Sequence, residues 1–160
     1  MWGPADVCVI EGAQTRVVSH MTATARPVSG SLRHEVDVNG RHTICTDEPE
    51  RLGGTDAAPA PHELLAAMVA SCVSTMVSMY ASARGWPLEG LSVDVAYDPE
   101  PTPRHAEVIV HLPAGLGEDQ VRRLRRVAET CPARRALEAG FTFDEQVVFD
   151  AGAKACHAGS

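Results

Sequence analysis

The sequence predicts an α+β fold built on antiparallel sheets. Two separate stretches alternate apolar and polar residues around a turn, one long helical segment with almost no charge lies between them, and no βαβ unit recurs. The order read along the chain is strands, long helix, hairpin, helix, short helix, strand.

At 160 residues the chain has the length of one ordinary domain, so a single domain over 1–160 is expected, with 1–13 and 151–160 at its periphery. Its apolar share of 44% suffices for a core, and the 4% aromatic share means that Ala, Val and Leu supply most of it. The formal net charge of -7 argues against a polyanion such as nucleic acid as the main partner. The start, MWGPADVCVIEGAQTR, has neither a basic segment nor a continuous apolar run, and no segment is read as approaching the roughly 18 apolar residues of a membrane span. A cytoplasmic protein with no membrane partner is therefore expected. Five cysteines at positions 8, 45, 72, 131 and 156, with no CxxC pair, support neither a disulfide framework nor a zinc ribbon.

TRVVSHMTATA is β-prone and predicts a first strand, followed by the loop Arg26 to Gly30. SLRHEVDVNGRHTICTDEP predicts a hairpin whose Asn39-Gly40 turn tolerates positive φ at both positions. A two-residue loop there pairs Val38 with Arg41, Val36 with Thr43 and His34 with Cys45. That register puts Cys45 on the apolar face as a core thiol. DEPERLGGTDAAPAPH reads as a Gly/Pro-rich connector, with Pro59 and Pro61 at the approach to a helix.

The helix expected from about His62 to Arg84 spans roughly 34 Å at 1.5 Å per residue. Leu64, Leu65, Met68, Val69, Cys72, Met76, Val77, Met79 and Tyr80 surround much of its circumference, which predicts burial on nearly all sides. Ser71, Ser74, Ser78 and Ser82 form a stripe of small residues that permits close approach by another helix. One chain of this size offers little to cover such a helix, so a homodimer is expected. Leu91, Val93, Val95 and Tyr97, then Ala106, Val108, Val110 and Leu112, predict a second hairpin around DPEPTP. GEDQVRRLRRVAETC predicts an amphipathic helix, PARRALEAG a short one closed by Gly140, and Phe141, Phe143 and Val147 to Phe149 a last strand.

Two cysteines invite chemistry. Cys72 lies in mid-helix, where burial alone raises a thiol pKa, so reactivity there requires a cation; the plain alternative is a small core hydrophobe. Cys131 precedes Pro132 at a helix start, where free N–H groups and the helix dipole favour a thiolate; the plain alternative is a residue that separates two helices. The Arg122 to Arg126 cluster reads as a solvated helix face, with phosphate or nucleic-acid binding as the other reading. No ligand spacing for a metal is present among the seven histidines, and no Walker or dinucleotide motif appears, Gly53-Gly54 being part of a loop. No cofactor is expected.

TDEPERLGGTDAAPAPHELLAAMVASC, MYASARGWPLEGLSVDV and AETCPARRALEAG resemble, in order and spacing, the osmotically inducible protein C / organic hydroperoxide resistance (OsmC/Ohr) family, its general OsmC-like branch above all. The resemblance covers Glu35 to Phe149. It implies an OsmC-like fold, with antiparallel sheets around long central helices in an intertwined homodimer. It also implies an organic hydroperoxide substrate, Cys72 as peroxidatic cysteine, Cys131 as resolving cysteine, and an external dithiol as reductant. An apolar pocket formed by Met68, Met76 and Met79 would favour organic peroxides.

The sequence departs from the family at one point. The strongest peroxidases carry, ten residues before the cysteine, a glutamate that pairs with an arginine from the N-terminal region. Here that position is His62, and the glutamate, Glu63, is one step or about 100° further around the helix. Glu63 remains the candidate catalytic carboxylate, its alternative role being a favourable acid in the first helical turn. Arg26 is the candidate arginine and Arg33 the reserve. A rival reading is an OsmC-like binding protein that holds an apolar small molecule with little turnover; a general disulfide oxidoreductase is a third, weakened by the missing CxxC.

Overall fold

The structure, a computed structural model, describes residues 21–100 and 104–147. Cys8, Cys156, both chain ends and Val148-Phe149 of the expected last strand lie outside the described residues. The chain divides into two compact units at the bond between Pro61 and His62.

In the first unit, β1 (Ala23–Pro27), β2 (His34–Val38) and β3 (His42–Thr46) form an antiparallel sheet in the order β1-β2-β3. Asn39 and Gly40 both take positive φ, 55° and 63°, as a turn of this type demands. The loop nevertheless has three residues, because Arg41 joins it and donates its N–H to the Val38 carbonyl at 3.2 Å. That extra residue corrects the expected register: Val38 faces His42, Val36 faces Ile44, and Glu35 faces Cys45. A slip of one residue turns each side chain to the other face. Cys45 therefore shares a face with Glu35 and Asp37, and it is a half-buried thiol, not a core one.

The connector after β3 is held by a carboxylate that the sequence reading treats only as part of a loop. Asp47 is 1% exposed and accepts hydrogen bonds from the N–H groups of Glu48, Thr55 and Ala57 and from the Thr55 hydroxyl at 2.6 Å. The Thr55 hydroxyl first, and then these N–H groups, hold its pKa down to about 2. One short 3-10 turn, Glu50–Leu52, lies inside this loop. Gly54 follows it so closely that any Cβ would overlap the Glu48 carbonyl, and only glycine fits there.

The second unit is organised by α1 (Glu63–Ser82). It packs against β4 (Ser92–Tyr97), α2 (Glu118–Glu129) and α3 (Pro132–Ala139), while β5 (Ala106–His111) completes an antiparallel hairpin with β4. Here the expected hairpin forms, with Val93 opposite Val110, Val95 opposite Val108 and Tyr97 opposite Ala106. The core comprises Val69, Val73, Val77 and Ala81 of α1 with Leu124 of α2 and Cys131. Spacing by four puts the α1 residues on one stripe, and burying each valine contributes about 1.5–2 kcal/mol. Tyr80 and Trp86 close the end of the helix edge to face, with ring centroids 5.9 Å apart.

Within the lone chain, burial of α1 is confined to that stripe, and Leu65, Met68 and Met79 are exposed, Met79 by 65%, in keeping with the expectation that one chain offers little to cover this helix. Two other expectations for this unit need correction. The same helix is long and apolar enough to cross a membrane by length and composition, contrary to the reading that no segment is; its valine stripe marks it as a core helix. The last strand is also not formed over residues 141–147, where Phe141, Phe143 and Val147 are exposed. Alternation yields a strand only where a sheet edge receives it.

Candidate active site

Cys72 lies half-way along α1, half-buried, at the border between the valine stripe and the exposed apolar face. Leu65, Met68 and Met79 share its side of the helix, being seven, four and seven residues from it. Met68 and Met79 thus stand on an open face and Met76 is half-buried.

Cys131 reaches the same place from the other end of the fold. Thr130 ends α2, Pro132 begins α3, and Cys131 occupies the N-cap between them. Proline suits this position because its fixed φ matches the helix and its missing N–H would have had no partner. The Cys131 sulfur is sealed, with 0% exposure, and Cys72 packs against the buried cluster that contains it. Burial first, and then the neighbouring Cys72 side chain, push the Cys131 thiol pKa up. The N–H groups of Ala133 and Arg134 pull it the other way, without closing a formed cap bond. The helix-end field expected at Cys131 is therefore present but outweighed by desolvation. Both thiols are free.

The other candidates are carried by other elements or by other turns of α1. Glu63 is the first residue of α1, nine positions before Cys72 and about 13 Å from it along the helix axis. His62 is the N-cap residue, and its carbonyl accepts a 2.7 Å hydrogen bond from the Tyr97 hydroxyl. Arg26 belongs to the first unit, where it is exposed on β1 opposite Glu35. Arg33, also in that unit, donates from Nη2 to the Cys45 sulfur at 3.5 Å. No sequence signal short of the corrected hairpin register could have revealed that pair.

A groove of about 930 Å³ runs beside the N-terminal half of α1. Leu65, Val69, Val95 and Leu137 give it an apolar floor, and His62, Arg104, His105 and Arg134 bring nitrogen donors to it. Arg134 is held by Glu138 at 2.7 Å. The sequence reading missed Tyr97 and Arg104 as parts of this groove; the inward end of the Leu91 to Tyr97 alternation was the available signal for the first.

The sequence profile of the family described as OsmC-like protein matches residues 54–146, more than half of the chain. No curated protein matches it. Among solved structures, the chain is similar to an organic hydroperoxide resistance protein, OsmC, from Legionella pneumophila, with 25% identity, 76% of this chain and 91% of that chain covered, and a TM-score of 0.53. An OsmC-like protein from Mycoplasma pneumoniae shares its fold at 18% identity, covering 76% of this chain and 89% of that one, with a TM-score of 0.61. So does an organic hydroperoxide resistance protein from Elizabethkingia anophelis, at 20% identity over 76% and 90% of the two chains and a TM-score of 0.55.

Proposed function

This chain belongs to the OsmC-like protein family, and on that premise we propose that it is a thiol-dependent peroxidase that reduces organic hydroperoxides to alcohols in the cytoplasm. The observation that carries the reading is the meeting of Cys72 and Cys131, 59 residues apart in sequence, with one thiol half-open and the other sealed. A peroxide reaches the open sulfur first, which supports Cys72 as the attacking thiol and Cys131 as the resolving one.

The Cys72 thiolate attacks the terminal peroxide oxygen, the O–O bond breaks, and the alkoxide leaves to take up a proton as the alcohol. Sulfur has gained the OH group as a sulfenic acid. Cys131 then attacks that sulfur, water leaves, and a Cys72-Cys131 disulfide forms. An external dithiol restores both thiols by exchange and is itself oxidised to a disulfide. The open apolar face of α1 around Met68 and Met79 supports a second copy of the chain as its cover, and hence an intertwined homodimer with a greasy approach to Cys72. Glu63 and Arg26 remain the proposed carboxylate and cation of the site. A second reading, an apolar-ligand binding protein with little turnover, draws support from the groove with its floor of Leu65, Val69 and Val95.

Consumption of cumene hydroperoxide with a dithiol separates the two. The wild type is expected to consume it, Cys72→Ser to be inactive, and mass spectrometry to find Cys72 joined to Cys131 in the oxidised protein. Equal inactivity of wild type and Cys72→Ser, with no such linkage, would leave the binding reading in its place.

A further inference from the structure

Two turns along α1 from Cys72, the exposed side of α2 meets Tyr80 around a cavity of about 420 Å³. Arg122, Arg123 and Arg126 line it together with Asp119, Val127 and Thr130. Positions 119, 122, 123, 126 and 130 recur at helical spacing, so one face of α2 supplies every polar group except the tyrosine.

These arginines are not equivalent. Asp119 accepts from Arg122 Nη2 at 3.1 Å and from Arg123 Nε at 2.7 Å, so a single carboxylate orients both. Glu118 adds only a distant pairing, 3.9 Å, to Arg122. Asp119 first, and then the Tyr80 side chain, raise the pKa of Arg123. Arg84 lies over the Tyr80 ring at 3.5 Å from its centroid, bringing a fourth guanidinium against the same residue. Arg126, by contrast, has no ion pair or hydrogen bond among the described residues. Three lining guanidiniums face one lining carboxylate, which leaves an excess of positive charge in a chain whose formal charge is -7.

We infer that this cavity is a binding site for a phosphate monoester, with Arg126 as its principal anion contact. Guanidinium forks match the oxygens of a tetrahedral dianion, and two forks held in advance by Asp119 lose little freedom on binding it. The cavity is of ligand size, larger than one tetrahedral ion needs, and the Tyr80 edge with Val127 gives an apolar wall for the organic part of the ester. Arg125, outside the cavity, pairs with Glu129 at i+4, whereas no carboxylate stands four residues to either side of Arg126, which leaves its guanidinium unneutralised by its own helix.

The experiment is isothermal titration of the full chain with phenyl phosphate, inorganic phosphate and benzoate at fixed ionic strength. Phenyl phosphate is expected to bind more tightly than either of the others, and binding to weaken as sodium chloride is raised. Arg126→Gln is expected to weaken it about tenfold, the scale of one charge-assisted contact, and Arg126→Lys to recover part of that loss. Arg125→Gln removes the same charge from the same helix outside the cavity and is expected to leave affinity unchanged. Inorganic phosphate binding as tightly as phenyl phosphate would reassign the site to the free ion and overturn the ester reading. Equal effects of Arg125→Gln and Arg126→Gln, or no binding at millimolar ligand, would overturn the site altogether.

Discussion

The Cys131 sulfur is sealed from solvent while Cys72, packed against the same buried cluster, is only half covered. A reagent must therefore meet one sulfur of the pair before the other. Iodoacetamide added to the native reduced protein is expected to label Cys72 at least about tenfold faster than Cys131, since exposure and thiolate fraction both govern alkylation. Peptide mapping over time checks this; faster labelling of Cys131 would reverse the assigned roles.

Resolution should be slow at neutral pH. A raised Cys131 pKa means that the nucleophilic thiolate becomes abundant only above the ordinary thiol range of about 8.5. Disulfide formation after a single addition of peroxide is thus expected to accelerate as pH rises through that range. Stability runs the opposite way: a folded-state pKa above the unfolded one gives a contribution complete below the unfolded value and lost as pH climbs through the folded one. Stopped-flow traces of the second phase in Cys131→Ser and wild type, taken across pH, check the kinetic half; denaturant midpoints of the reduced protein check the other.

Asp47 sets the opposite limit. Its pKa, depressed to about 2, contributes stability that is full above the ordinary carboxylate value of about 3.9 and vanishes as pH falls through the folded one. Asp47→Asn keeps the shape but loses two acceptor sites, so the connector from Glu48 to Ala57 should loosen. Faster amide exchange is expected at Thr55 and Ala57, with a lower thermal midpoint at pH 7 that converges on the wild type below pH 2. Unchanged exchange at those two amides would show that the carboxylate does not hold the loop.

Met68→Glu tests the proposed dimer. Met68 is exposed within the chain, so the change should cost the isolated fold less than about 0.5 kcal/mol. Buried between two copies, paired carboxylates would repel and dissociate them. Sedimentation is expected to show dimer for wild type and monomer for Met68→Glu, with the far-ultraviolet spectrum preserved. A wild-type monomer would remove the dimer from the proposal.

Much of the second unit was legible in the sequence because its signals are local. Alternation marked β4 and β5 as a hairpin, and Pro132 and Gly140 bounded α3. In the first unit, Asn39-Gly40 announced the turn but not its length; the inclusion of Arg41 depends on how the whole sheet pairs, and it carried Cys45 to the other face. For α1, composition revealed apolarity without revealing which side has neighbours, and one chain covers only the Val69 to Ala81 stripe. Asp47 was opaque for a similar reason, because Thr55 and Ala57 become its donors only after the chain has turned back. The Cys72-Cys131 meeting followed from family resemblance alone, since no spacing rule links residues so distant in sequence.

Cys131 opens α3 as well as touching α1, so a covalent bond between the two sulfurs would staple the middle of the longest helix to the beginning of the last. Closing a ring of that size removes chain entropy worth about 4 kcal/mol from the unfolded ensemble. Reduction would leave α3 held to α1 by packing alone, making thermal resistance and protease tolerance readable reporters of the cell's electron supply.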